Sequence, residues 1–241
     1  MLNKKLMTVA VATALTAGIS AAPAFAGEGV EVSGNVALTS DYRFRGISQS
    51  DEEVAIQGGF DVAFEPGFYV GTWGSSVDFD SSDYGTIELD YYAGWAGNIG
   101  DSDVGIDVGY IYYDYPGDSS SITEGDYQEF YVGLSYMDAS VQVNYSDDYY
   151  AETDEFWYVS GDYGFELVEG ISIGLHVGYN ALEEDFWGTD EYIDYSVSAT
   201  YNCSGVDLSL AWVGTDLDED DVGSLADLGD DTAVFTISKS L

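Results

Sequence analysis

Apolar and polar residues alternate with a period of two along nearly the whole chain beyond residue 29. Val30, Val32, Val36 and Leu38 share one face of an extended segment, continued by Tyr42 and Phe44, because successive side chains of a strand point to opposite sides. Val54, Ile56, Phe60, Val62 and Phe64 alternate with Glu53, Gln57, Asp61 and Glu65. The same alternation runs through Ile87–Trp95, Val104–Tyr112, Phe130–Tyr136, Val141–Tyr145, Tyr195–Tyr201 and Val206–Trp212. It is clearest where Ile171, Ile173, Leu175, Val177 and Tyr179 oppose Ser172, Gly174, His176, Gly178 and Asn180. Phe68–Asp78 and Phe156–Phe165 are mixed but extended in character, and Thr232–Leu241 closes the series with Ala233, Phe235, Ile237 and Leu241 on one face. Helical periodicity is hard to find, so the pattern predicts an all-β chain of 12 strands.

The connections alternate in length. Short ones follow the even strands, as at Pro66-Gly67 and Asp138–Ala139, and long acidic ones follow the odd strands, as at Asp114–Asp126 and Gly214–Asp231. An even strand count with short turns at one end and long loops at the other describes an antiparallel transmembrane β-barrel. Pro66 and Pro116 both fall in connections, as ladder hydrogen bonding requires. The polar face is rich in Gly, Ser, Asp and Asn, which suits a narrow wet lumen. The apolar face carries Tyr42, Trp95, Tyr112, Tyr136, Tyr179, Tyr201 and Trp212 near strand ends, as aromatic girdles at membrane interfaces do. A soluble exported β-barrel or sandwich that binds a ligand also alternates, and stays open on this pattern.

The chain ends bear on location. Lys4 and Lys5 precede a stretch of small and apolar residues from Leu6 to Ala17, and Ala24-Phe25-Ala26 is a cleavage site of the A-x-A kind. Residues 1–26 therefore read as a signal peptide and residues 27–241 as the barrel. A final apolar strand on an exported protein is the kind of ending that outer-membrane insertion machinery recognises. The expected location is the outer membrane of a Gram-negative bacterium, with outer-membrane lipid as surroundings.

Charge narrows the partners. Of five Lys and Arg, only Arg43, Arg45 and Lys239 lie beyond the signal, against 45 acidic residues, a formal charge of −42. Such a surface repels nucleic acid. It fits either a salty exterior, where ions screen the repulsion, or cation attraction. With 21 Tyr, 11 Phe and 5 Trp the chain is not a disordered polyanion. Cys203 is the one cysteine, so no internal disulfide forms.

The stretches NVALTSDYRFRGISQS (Asn35–Ser50) and GFYVGTWGS (Gly67–Ser75), with the ending SKSL (Ser238–Leu241), resemble the TorF family of proteobacterial porins. The DYRFRG element is the most specific part. The resemblance implies an outer-membrane barrel with a pore and supplies no substrate and no functional residues.

Candidate site residues come from the inward face. Even positions of the first strand are apolar, so Arg43 and Arg45 share the odd face with Glu31, Asn35 and Asp41. An arginine turned into lipid costs about 2–4 kcal/mol at midplane, which supports the inward assignment. They either line a constriction or bridge crowded carboxylates. Glu53, Asp61, Glu88, Asp90, Asp107 and Glu129 lie opposite apolar neighbours and project inward with them. His176, the one histidine, shares its face with Ser172 and Asn180. Four residues of strand span roughly 13 Å, so neither reaches it, and no hydrolase triad is assembled on that strand. Asp216, Asp218 and Asp220 fit the start of a calcium loop, but Asp221 stands where Gly is needed. No cofactor, metal or enzymatic activity is expected. The function these features predict is passive diffusion of small solutes or ions, with cations preferred. The alternative is a non-conducting barrel with a structural or surface-binding role.

Overall fold

The computed structural model describes residues 29–79, 85–117, 125–183, 189–217 and 227–241. Residues 1–26, read from the sequence as a signal peptide, and most of the Asp216–Gly223 loop lie outside them. Fourteen strands are formed among the described residues. They are β1 (Val30–Thr39), β2 (Arg43–Phe44), β3 (Ile47–Ser48), β4 (Ala55–Phe64), β5 (Phe68–Ser76), β6 (Ile87–Asn98) and β7 (Gly105–Asp114). The second half holds β8 (Tyr127–Tyr136), β9 (Ala139–Ser146), β10 (Phe156–Val168), β11 (Ile171–Leu182), β12 (Glu191–Cys203), β13 (Val206–Thr215) and β14 (Thr232–Ser240).

Twelve of these, all but β2 and β3, close into one antiparallel barrel in which each strand pairs with its neighbours in sequence. β1 and β14 complete the ring through Asn35↔Ser240 to Thr39↔Thr236. Closure gives every barrel strand a partner on both sides, which is the condition for a sheet to sit in hydrocarbon. The start of β1 and the end of β14 lie at the end of the barrel that carries the short turns: Val30 pairs with Phe64, next to the turn at 65–67, and Ser238 with Asp207.

Each strand keeps the alternation of its sequence. Val32, Ile56, Phe60, Val132, Val177 and Leu210 stand on the outer face and are exposed, whereas Tyr69, Tyr92, Tyr131 and Tyr158 point inward and are buried. Glycines on the inner face do not widen the bore. At Gly71, Gly94 and Gly109 an added Cβ would meet the ring of Tyr92, Tyr69 and Tyr131 respectively. The missing side chains let these rings lie flat against the wall, and the rings occupy the space.

The first strand departs from the sequence pattern. Alternation extends it through Tyr42 and Phe44, but β1 stops at Thr39. Arg43, Arg45 and Asp41 therefore do not sit on its inner face. Tyr42 is buried inside the barrel rather than placed in an outer girdle, and Glu53 is exposed in the connection before β4.

Candidate functional site

The connection between β1 and β4 turns into the barrel at the long-loop end through residues 41–50, and its tip is the two-stranded hairpin β2–β3. Phe44 pairs with Ile47, leaving Arg45-Gly46 as a two-residue turn. Both have positive φ, 49° and 83°, the backbone of a type I′ hairpin, which glycine accepts without strain. A Cβ on Gly46 would stand 3.0 Å from Cβ of Asp194 and 3.1 Å from the Gly214 carbonyl oxygen, so the tip is seated against β12 and β13.

The DYRFRG element supplies a contact from every residue. Asp41 accepts Arg43 Nε at 2.5 Å, Ser48 Oγ at 2.7 Å and Ser50 Oγ at 3.3 Å, which ties the hairpin to itself. Tyr42 donates to Glu88 on β6 at 2.9 Å and packs edge-on to Trp73 on β5. Arg43, with no exposed surface, donates to the carbonyls of Gly46, Leu228 and Asp230 and to Glu52. Phe44 meets Tyr113 on β7 at 5.8 Å between ring centroids. Arg45 makes two parallel hydrogen bonds of 2.7 Å to Glu129 on β8, the bidentate geometry that only arginine offers a carboxylate. Its guanidinium also lies 4.6, 4.7 and 4.3 Å from the ring centroids of Phe44, Phe156 and Tyr158. β7 and β13 stand six places apart in the ring of twelve. The hairpin touches both, so it crosses the bore from wall to wall.

Carboxylates outnumber cations around it. Asp41, Glu88, Asp90 and Glu129 are buried there, against Arg43 and Arg45. Glu129 also accepts Asn144 Nδ2 at 2.8 Å. Glu88 accepts Tyr42 and, at 3.1 Å, Tyr115. Both phenols belong to the connections outside the strands. Each is held well above its ordinary pKa, by burial first and then by the negative charge of Glu88, so each stays a proton donor.

The other acidic residues singled out in the sequence lie elsewhere. Asp61 accepts Tyr92 at 2.6 Å and Asp107 accepts Tyr69 at 2.6 Å, with Tyr69 bonded in turn to Tyr131. His176 forms a third group. Its Nδ1 lies 2.7 Å from Asp162, and its Nε2 lies 2.9 Å from Asp194 and 3.0 Å from Tyr158. These partners come from the adjacent strands β10 and β12, not from Ser172 or Asn180. Sequence reasoning missed Asp162, Asp194, Tyr42 and Tyr115. Strand parity places Asp162 and Asp194 inward. Nothing in the pattern sends Tyr42 or Tyr115 back into the barrel.

The family model described as "Bacterial protein of unknown function (Gcw_chp)" matches residues 23–241. No curated protein matches the sequence. Among solved structures, the KdgM porin superposes with a TM-score of 0.54 at 11% identity, covering 86% of this chain and 97% of that one. The KdgM porin in complex with disordered oligogalacturonate gives 0.52 at 11% identity, covering 87% and 96%. The NanC porin gives 0.53 at 10% identity, covering 86% and 98%. At these identities the likeness is one of fold.

Proposed function

We propose that this chain, which belongs to the Gcw_chp family, is an outer-membrane porin-like channel. It passes small solutes or ions with a preference for cations through a lumen narrowed by the hairpin β2–β3. The observation that carries the reading is the division of the wall. A closed barrel turns Val, Ile, Leu, Phe and aromatic side chains outward on every strand and carboxylates, hydroxyls and phenols inward. So large an exposed apolar surface is stable only against lipid or a partner. In lipid the outer face is satisfied and the inner one encloses water. The resemblance to the TorF porins and the shared fold of the KdgM and NanC porins support the same reading. So does the pattern of residues 1–26 as a cleaved signal, which delivers the barrel to the periplasm for insertion.

The KdgM porin has been solved with an acidic oligosaccharide. The charge of this lumen favours the opposite sign. Asp61, Glu88, Asp90, Asp107, Glu129, Asp162 and Asp194 all face inward, while both arginines are already paired with carboxylates. Rings of carboxylates favour cations. Planar-bilayer recording of the refolded barrel tests the reading. Discrete conductance steps with a cation-selective reversal potential are expected, and an electrically silent barrel overturns it. A non-conducting barrel is the second reading, favoured by one observation: the hairpin reaches opposite walls of the ring.

A further inference from the structure

The charge balance beside the hairpin does not close. Arg45 is spent on Glu129 and Arg43 on Asp41 and Glu52. Glu88 and Asp90 remain, each with 1% of its surface exposed and neither with a cationic partner among the described residues. Glu88 at least has both oxygens on phenols. Asp90 does not: its Oδ1 is buried without any hydrogen-bond partner among the described residues, and the charges that bear on it are Glu88 and Glu129. A buried carboxylate oxygen with no donor is costly and rare. The other inward acids, Asp61, Asp107, Asp162 and Asp194, all have partners.

Position adds a second reason. Glu88 and Asp90 are two residues apart on β6 and so share its inner face. Asp90 is flanked across the sheet by Trp73 on β5 and Tyr113 on β7. Both rings are buried on the inner side, and aromatic faces attract cations. We propose that Asp90, with Glu88, holds a partly hydrated hard cation of the alkali or alkaline-earth class beside the hairpin. The site deepens the cation-preferring reading above, on which its role in ion passage rests. Among the described residues no three of His, Cys, Asp and Glu converge as a metal cage. The rest of the coordination therefore falls to water and to the phenol oxygens of Tyr42 and Tyr115. Hard cations accept such all-oxygen sets, and incomplete protein coordination lets the ion leave, as conduction demands.

The test is equilibrium unfolding of the refolded barrel in detergent at constant ionic strength. N-methylglucamine chloride, whose cation is too large for the site, is compared with sodium, potassium and calcium chlorides. The wild-type urea midpoint should rise when the small cation replaces N-methylglucamine, and the response to calcium against sodium tells the ion's charge. Asp90→Asn should abolish that rise, Glu88→Gln should reduce it, and Glu169→Gln, at an exposed turn, should leave it intact. Should Asp90→Asn fail to fold, crystals of the wild-type barrel soaked in thallium(I) should show anomalous density within contact distance of Asp90 Oδ1. Equal responses in wild type and Asp90→Asn overturn the site, as does a wild type indifferent to cation identity, which would mean that Asp90 holds a proton. Conductance is measured separately. A silent barrel with the cation-dependent midpoint intact removes the pore and keeps the site.

Discussion

Removing Arg45 tests whether the hairpin is a structural prop, a constriction or both. In Arg45→Gln the bidentate bonds to Glu129 are lost, and Glu129, with no exposed surface, keeps among the described residues Asn144 and a long contact from Tyr113. Breaking a buried ion pair at one partner costs about 3–5 kcal/mol. Loss of the guanidinium from the rings of Phe44, Phe156 and Tyr158 adds about 1–2 kcal/mol. With a urea m-value of about 3 kcal/mol/M, a loss of about 4 kcal/mol moves the midpoint down by more than about 1 M. There is one way to avoid that loss. The hairpin can leave the bore and let water reach Glu129, in which case the midpoint moves little but the single-channel conductance rises. Both quantities are measured on the same preparation. At 1 M salt the midpoint should not recover, because a buried pair is screened far less than an exposed one. Arg45→Met combined with Glu129→Gln should recover most of the stability, since no charge is then left alone. Wild-type midpoint and wild-type conductance together in Arg45→Gln would refute the reasoning.

Three further outcomes follow from the same geometry. Gly46→Val introduces a β-branched side chain at φ 83° against Asp194 and Gly214, so it should unseat the hairpin tip, lower the urea midpoint and raise conductance; an unchanged pair of values would mean that the tip is loosely held. Leu175→Arg, on the outer face, should impair membrane insertion by about 2–4 kcal/mol at midplane, while Ser172→Arg should insert, and equal insertion in a liposome assay would reverse the assignment of faces. The reversal potential at low salt should show cation selectivity that falls in the double variant Glu88→Gln, Asp90→Asn; anion selectivity in the wild type would show that the arginines set the field despite their pairing.

The barrel was legible because each strand buries one face only, so the core requirement repeats every second residue. Twelve extended segments, two of them mixed in pattern, give twelve barrel strands, and the alternation of short and long connections places the first and last strand ends together. The turn chemistry at Pro66-Gly67 also marks strand ends locally. The hairpin was not legible for a related reason. Tyr42 and Phe44 continue the parity of Val36 and Leu38, and parity carries no information about where a strand stops. The stop is set at a distance. Arg43 reaches the carbonyls of Leu228 and Asp230, and Tyr42 reaches Glu88, partners 46 to 187 residues away. The one local sign was the Arg45-Gly46 pair, a turn dipeptide within an otherwise alternating run.

The two arginines carry a meaning that net charge hides. A chain with 45 acidic residues could hold its inner carboxylates in water and leave them unpaired. Here the hairpin buries Asp41, which it carries itself, and Glu129 on the wall, and buried carboxylates need positive charge supplied in fixed geometry. Arg43 and Arg45 supply it, on the same short element that does the burying, so the compensating charge arrives only where the desolvation occurs. That coupling makes the hairpin self-limiting: withdrawn from the bore it would expose two arginines and two carboxylates together, each of which water can solvate. Seated, it brings Arg45 to Glu129 and leaves Glu88 and Asp90 outside the pairing, while Asp41 is satisfied from within the segment by Arg43, Ser48 and Ser50. Of the buried carboxylates beside the hairpin, Glu88 and Asp90 on β6 are thus the two that no arginine reaches among the described residues, and that is where the proposed cation would be held.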